Sequence, residues 1–386
     1  MNGFSRSALV YDTPQRTGSQ WKRHLMRIDT TTQKYTGDWI FDSFSLLTRN
    51  YDLFYFGNGI TEEKLDQELA SLMSNAVKIE KEISTLSQTW KLPSNYQLEI
   101  FISVPYFKSS GRVTLSGKTY ALTRPSERLE AVQWYINRVK SEISTKSWPY
   151  YRFGLYYFRE EFKFHNDDQN YIPGFNVRAK RAGFPTLWVP GYTTTKSFNG
   201  PDLGFTYTSI QPAYSFRSST RALSVKADRL YSTGEKANKR SLCLAYEFGA
   251  YGPTFDRLFN SIAYEYLAAS VSTSCYRYPQ VFFSGGFDLF DRALRSAEAM
   301  DAYNDLVNYL LDPASIKSRE KIIPPNQSRH VGQSKDLVYV ASNYDWTVSK
   351  DVEGLNGIRM DLQNSEVIPW RGYLYVNVKG KIFQHL

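Results

Sequence analysis

The 386-residue chain has little of the chemistry that marks metal, redox or phosphate sites. It holds two cysteines and four histidines. Cys243 and Cys275 have neither metal-ligand spacing nor the makings of a disulfide framework, and their apolar surroundings point to buried free thiols. His24, His165, His330 and His385 include no pair at metal-ligand spacing, so no metal or other cofactor is expected. No phosphate-cradling glycine loop and no nucleophile elbow occurs, and "SGGFD" at 284–288 is too short to be either. No stretch approaches the roughly 18 apolar residues of a membrane span. "MNGFSRSALVYDTP" lacks a charged segment followed by an apolar one, so no export signal is expected in the chain as written. The expected location is cytoplasmic or virion-associated, or extracellular or on a cell surface if a signal peptide has been removed. The formal charge is +9, yet the basic residues are scattered and "RAKRAG" at 178–183 is their densest run. A solvated basic surface is therefore expected rather than a nucleic-acid partner.

Aromatic residues, by contrast, are abundant: 16% of the chain, with 29 Tyr and 8 Trp, more than packing alone requires. Rings with a polar tip suit surfaces that meet sugars, peptides or nucleic acids. Short β-rich runs alternate with helical patterns as far as residue 311. The runs are "SALVYDT" (7–13), "DWIFDSFSLL" (38–47), "YQLEIFISVPYF" (96–107), "YRFGLYYFREEFKF" (151–164), "PTLWVPGY" (185–192), "YTSIQPAYSF" (207–216), "SLCLAYEFGAY" (241–251) and "PQVFFSGG" (279–286). Among the intervening helices, one over 61–90 places Leu65, Leu69, Leu72, Ala76, Ile79, Ile83 and Leu86 at spacings of three and four. Another starts at Pro125, where the missing N–H costs nothing. Eight β-then-α units predict a closed α/β (β/α)8 barrel over residues 7–311. Beyond Pro313 a polar, Pro-Pro-containing stretch reads as a linker, and alternation in "LVYVASNYDWTV" and "GYLYVNVKGKIF" predicts a small antiparallel β appendage within 314–386.

In such a barrel the strand C-termini converge on one face, so polar residues at run ends are the site candidates. These ends carry Tyr11 and Asp12, Asp42, Tyr106, Glu160 and Glu161, Trp188 and Tyr192, Gln211 and Tyr214, and Glu247. An acid thus ends the fourth run and another the seventh. Carboxyls facing each other across a barrel mouth suit glycoside hydrolysis, at about 5 Å for retaining and roughly 6.5–9.5 Å for inverting enzymes. Either Glu taken alone fits a solvated residue or an ion pair with a neighbour such as Arg159 better than a catalytic role, whereas the pair on strands four and seven fits a site as well as it fits that reading. Alternation separates Glu160 from Glu161 without saying which faces inward. Cys243, Ala245 and Glu247 share a face whose small residues fit a crowded interior.

"WIFDSF", "GLYYFRE", "AGFPTLWVPGY", "LGFTYTSIQPAYSF" and "AYEF" followed by "VFFSGG" resemble, in order and spacing, a bacterial family of domains of unknown function, number 4855 in that series. The similarity covers residues 7 to 290. The family's strand-four motif falls on Gly154, Tyr156, Tyr157 and Glu160, which selects Glu160 over Glu161. Of two acids in its strand-seven motif, the second falls on Glu247 and the first on Ala245, a departure. The resemblance implies a glycosidase-like barrel. More distantly the chain resembles retaining (β/α)8 glycosidases, whose acid/base follows strand four and whose nucleophile follows strand seven. That reading makes Glu160 the acid/base and Glu247 the nucleophile. Tyr106, Trp188, Tyr192 and Tyr214 become sugar-stacking platforms, and Asp12, Asp42 and Gln211 hydrogen-bond hydroxyls of a carbohydrate. The alternative is a glycan-binding or structural protein of a cell surface or phage particle that keeps the barrel without turnover.

Overall fold

The computed structural model describes residues 5–11, 17–94, 96–163, 167–213, 223–248, 257–283, 290 and 297–316, and five strands between 339 and 385. Eight parallel strands close into a barrel. They are β1 (Arg6–Tyr11), β2 (Ser43–Leu47), β3 (Leu98–Val104), β4 (Tyr151–Tyr157), β5 (Thr186–Trp188), β6 (Tyr207–Ile210), β7 (Cys243–Glu247) and β8 (Gln280–Phe283). Each pairs with the next, and β8 closes on β1 with Ser7 opposite Val281. Around them run α1 (Gly18–Leu25), α2 (Glu62–Ser87), α3 (Pro125–Ile143), α4 (Asp168–Arg181), α5 (Leu223–Lys239), α6 (Arg257–Ser272) and α7 (Ala297–Leu311). The fold is therefore the (β/α)8 barrel that the eight runs predict.

The helices begin where the sequence supplies caps. The Thr61 hydroxyl accepts from Lys64 N at the start of α2, with Glu62 and Glu63 in the first turn, where carboxylates complement the helix dipole. The seven apolar residues at three- and four-residue spacing are all buried on the barrel side of α2. At about 1.5–3 kcal/mol for each buried aliphatic side chain, that stripe far outweighs any single cap. Pro125 occupies the first turn of α3.

Three details depart from the sequence pattern. The fifth unit has no α-helix; two 3-10 turns, Ser197–Asn199 and Pro201–Leu203, join β5 to β6 through a stretch interrupted by Gly200, Pro201 and Gly204. Helix α4 starts at Asp168 and continues through Pro173, although proline ordinarily interrupts a helical pattern. The third concerns the second run, which is two elements. Tyr35–Trp39 forms a hairpin with Met26–Ile28, and the barrel strand starts only at Ser43. Asp42 therefore stands at the entry to β2, on the rim opposite the strand C-termini.

Inside the barrel the side chains are fitted to one another. Ser7, Ser43 and Ser45 are buried on β1 and β2, with Ser7 Oγ 3.0 Å from both of the other hydroxyls. Phe101 of β3 meets Tyr207 of β6 edge-on at 5.8 Å, a contact between non-neighbouring strands that crosses the interior. Its ring occupies the space above Gly154, where a Cβ would stand 2.5 Å from Phe101 Cε1 and 2.9 Å from Pro185 O. Gly154 thus makes room for the ring that fills the barrel. Among the described residues no helix is long and apolar enough to cross a membrane.

Near the C-terminus, Tyr339–Ser342 pairs antiparallel with Asp345–Val348, and Ser365–Trp370, Tyr373–Val378 and Lys381–His385 form a three-stranded antiparallel sheet.

Gly154→Ala should lower the urea midpoint by an amount corresponding to about 1–3 kcal/mol of overpacking. A compensating Phe101→Leu should restore part of the loss. Equal stability of parent and Gly154→Ala would show that Phe101 is not held against this position.

Candidate active site

The mouth is built from the segment following β4. Beyond Tyr157 the backbone leaves the sheet, and successive groups are tied down individually. Trp188 Nε1 donates to Arg159 O at 2.8 Å, Gly191 N to Glu160 O at 3.3 Å, Phe162 N to Thr194 Oγ1 at 3.0 Å, and Lys163 N to Asp168 Oδ2 at 2.8 Å. Asp168 is fully buried and also accepts from Tyr106 Oη at 2.8 Å and Arg128 Nη2 at 3.4 Å. Arg128 lies over the Tyr171 ring at 3.6 Å. This buried ion pair anchors the segment between β4 and α4.

The anchoring separates the two adjacent glutamates. Glu161 points outward to Lys163 (2.7 Å) and Arg159 (3.3 Å), and the Lys163 ammonium above all holds its carboxyl below the ordinary range. Glu160 turns into the mouth. Burial raises its pKa, offset in part by a hydrogen bond from Gln211, and the charge of Glu161 raises it further.

From β6 comes the link to the second acid. Gln211 N donates to Pro190 O (2.9 Å) and Tyr192 N to Gln211 O (2.8 Å), carrying strand-like pairing one step above the barrel. The Gln211 amide donates to Val189 O at 2.9 Å and to the Glu160 carboxyl. Two residues on, Ala213 adopts φ +50° and its N–H reaches Glu247 Oε2 at 2.8 Å. Tyr266 Oη of α6 donates to the same oxygen at 2.8 Å. Glu247 Oε1 is buried with no hydrogen-bond partner among the described residues. Both acids are thus bound by the three-residue stretch 211–213, and they repel each other electrostatically.

Glu247 is only 3% exposed. Burial pushes its pKa up to about 8, against the hydrogen bonds from Tyr266 and Ala213 and the charge of Arg229, while Glu160 raises it further. Arg229 of α5 donates to Tyr192 Oη (2.9 Å) and Ala213 O (2.5 Å), so it braces the loop that carries the Ala213 N–H. Nothing in the sequence around Arg229 or Tyr266 advertises these roles; both come from helices, which the run-end rule does not sample.

The remaining candidates divide by position. Gln211 and Tyr192 stand beside the acids. Asp42 is on the far rim, where its carboxylate accepts from Ser5 N, Ser5 Oγ and Arg6 N at 2.5–3.2 Å, and it cannot reach the mouth. Tyr106 and Trp188 are both 0% exposed: Tyr106 is bound to Asp168, and Trp188 stacks on Phe205 at 5.2 Å in the layer outside the strands. Neither ring offers a free face. Asp12 and Tyr214 lie outside the described residues. Cys243, placed with Glu247 by alternation, contacts Cys275 and Ser270 instead.

The accessible aromatics come from the loop after β2, which the run-end reading passed over. Tyr51 is 42% and Phe56 49% exposed. Tyr51 stacks on Tyr11 at 5.8 Å, their hydroxyls in hydrogen-bond contact. Tyr55 packs edge-on against Phe56 at 5.0 Å. The Glu160 charge contributes to raising the pKa of Tyr11, Tyr51 and Tyr55, in each of which burial is the largest cause. Tyr51 therefore borders the acid, and Phe56 lies next to Tyr51 in the surface through Tyr55. A run of Tyr and Phe in "RNYDLFYFGNG" was the available signal. Among the described residues no group of three or more His, Cys, Asp or Glu could hold a metal ion.

A parallel (β/α)8 barrel with two carboxyls, Glu160 half-buried beyond the end of β4 and Glu247 buried at the end of β7, is the class this geometry defines. The chain belongs to the family described as "Domain of unknown function (DUF4855)", which it matches over residues 7–308. No curated protein matches it significantly. Solved structures similar to it include a mutant tryptophan synthase alpha-subunit from Pyrococcus furiosus, at 11% identity and TM-score 0.36, covering 81% of this chain and 99% of that one. Another is a tri-modular GH5 (subfamily 4) endo-beta-1,4-glucanase from Bacillus licheniformis, at 11% identity and TM-score 0.42, covering 78% and 59%. A third is a GH30 endoxylanase from Clostridium papyrosolvens, at 10% identity and TM-score 0.38, covering 97% and 78%. At these values the likenesses carry no functional argument.

Because the Glu247 carboxyl holds its proton to about pH 8 when folded and to an ordinary 4.5 when not, the folded state binds more protons between those values. Its favourable contribution is complete below pH 4.5 and lost as pH rises through 8. Relative to Glu247→Gln, the parent should lose up to about 1.4 kcal/mol per pH unit across that window. Urea titrations at several pH values measure this; a constant difference would mean that Glu247 titrates normally.

Proposed function

We propose that the protein is a retaining glycoside hydrolase acting on an oligo- or polysaccharide, with Glu160 as general acid/base and Glu247 as nucleophile. The observation that carries this reading is the convergence of two carboxyls, Glu160 half-buried and Glu247 buried, on residues 211–213. Tyr266 and Ala213 fix Glu247 by one oxygen and leave Oε1 toward the anomeric carbon. In the first step Glu160 gives its proton to the glycosidic oxygen while Glu247 attacks, forming a glycosyl ester and releasing the leaving sugar. In the second, Glu160 takes a proton from water, and the resulting attack on the anomeric carbon frees Glu247. Desolvation suits Glu160 as the acid, because it favours the protonated form. Glu247 must ionise before it attacks, and its elevated pKa places that event above the usual carboxylate range. Tyr51, exposed beside Glu160, and Phe56, exposed next to Tyr55, supply apolar faces for a sugar ring, and Gln211 supplies an amide close to Glu160.

A second reading, glycan binding without turnover, draws on the same elevated pKa: at neutral pH the resting site holds Glu247 protonated, a hydrogen-bond donor rather than a nucleophile.

Screening activated aryl glycosides and intact polysaccharides with the parent, Glu160→Gln and Glu247→Gln tests the proposal. Glu247→Gln should lose activity by roughly 10³-fold or more. Glu160→Gln should retain most of its kcat/KM on substrates with good leaving groups, which need no protonation in the first step, while its kcat falls because the second step has lost its base. In that variant kcat/KM should rise with pH, with a midpoint above 4.5 but below that of the parent's Glu247, since the repelling Glu160 charge is gone. A fall with pH over the same range would reverse the two roles, and binding of a glycan with no cleavage by the parent would favour the second reading.

Phe56→Ala should raise KM about 5- to 15-fold with kcat little changed, as expected for loss of a stacking contact worth about 1–1.5 kcal/mol. An unchanged KM would remove the ring from the binding surface.

A further inference from the structure

The two cysteines lie away from the mouth and take no part in the chemistry above. Cys243 is the first residue of β7, and Cys275 opens the 3-10 turn Cys275–Arg277 between α6 and β8. Both are free thiols, fully buried, with their sulfurs 3.3 Å apart. Ser270 Oγ stands 3.8 Å from Cys243 Sγ and 3.4 Å from Cys275 Sγ. A disulfide requires a further approach of about 1.2 Å, within reach of small side-chain rotations.

We propose that Cys243 and Cys275 form a disulfide when the protein meets a low-molecular-weight disulfide oxidant such as glutathione disulfide, stapling the entry of β7 to the exit of α6. Burial raises the pKa of the Cys275 thiol, but hydrogen bonds from Cys243, Ser270, Thr273 and Leu244 N outweigh it and bring the group to about 7. Burial instead pushes Cys243 well up. Cys275 is therefore the first nucleophile. Its thiolate attacks one sulfur of glutathione disulfide, forming a mixed disulfide and expelling a glutathione thiolate. Cys243 gives up its proton and attacks the Cys275 sulfur, expelling the second glutathione. Two protein thiols are oxidised and one glutathione disulfide is reduced to two glutathiones. Access to the buried pair comes from local opening of the turn between α6 and β8.

The bond closes a loop containing Glu247 and all of α6, including Tyr266. Cys243 and Glu247 stand at opposite ends of β7, so the bond constrains the unfolded chain while leaving the mouth in place. The inference is independent of the function proposed above.

The test equilibrates the native 386-residue chain with glutathione disulfide and glutathione at several ratios, with and without low, non-denaturing urea. Alkylation in denaturant, intact mass and peptide mapping follow. The expected result is the loss of two hydrogens in a monomeric chain, one peptide pair joined through Cys243 and Cys275, and reversal by dithiothreitol. Urea should speed the reaction, and the oxidised form should melt roughly 5 °C higher. Cys243→Ser and Cys275→Ser should each stop the chain at a single glutathione adduct or leave it unmodified. Two alkylatable thiols at every ratio, persistent adducts on both cysteines of the parent, or links only between chains would each overturn the proposal.

Discussion

The site depends on one buried charge, the Asp168 carboxylate at the start of α4. Its partners come from different places: Arg128 from α3, Tyr106 from the segment after β3, and Lys163 N from the loop after β4. Arg128 in turn donates to Phe107 O and lies between the rings of Tyr106 and Tyr171. Burying such a pair is weak evidence for net stability, since desolvation opposes the attraction. Its consequence is positional. With each partner held in one geometry, the loop after β4 has no freedom to exchange Glu160 for Glu161, and one carboxyl is directed into the barrel while its neighbour pairs with lysine in solvent.

The other side of the mouth works by withholding interactions. A carboxyl as buried as Glu247 would be held ionised by several donors, yet among the described residues it receives two, both on one oxygen. That arrangement sacrifices stability at neutral pH in return for an oxygen with no competing partner. Unsatisfied buried polar atoms are uncommon in native proteins, and they gather where chemistry is done. The bracing of the Ala213 loop by Arg229, through Tyr192 and the Ala213 carbonyl, keeps the remaining donor in place.

Aromatic abundance serves two purposes that composition alone cannot separate. Tyr106, Trp188, Phe205 and Phe175 fill space between the strands and helices around β4 and β5, with the polar tips of Tyr106 and Trp188 spent on a carboxylate and a backbone carbonyl. Tyr11, Tyr51 and Tyr55 form a rim beside Glu160, and Phe56 extends it from Tyr55. Ring residue type is the same in both sets, and only packing in the closed barrel distinguishes filler from rim.

By itself the sequence determined the barrel, because the β and helical periodicities are local properties of the backbone and eight alternations leave few ways to bury both faces of the strands. It also determined that acids end the fourth and seventh runs. The resemblance of "GLYYFRE" and "AYEF" to a known family pointed to Glu160 and Glu247, and the structure places both at the mouth. Which end of a run a residue occupies was decided only by tertiary structure. "DWIFDSFSLL" looks like one strand, yet it breaks into a hairpin arm and a barrel strand because Asp42 caps the backbone of Ser5 and Arg6, moving it to the wrong rim for substrate. Tertiary structure likewise decided the environment of Glu247, since Tyr266 and Ala213, which donate to the carboxyl, and Arg229, which acts on it through its charge and through the Ala213 loop, are remote in sequence and come together only in the packed barrel. Desolvation, the largest influence on that carboxyl, is a property of the whole enclosing barrel, and no run of neighbouring residues encodes it.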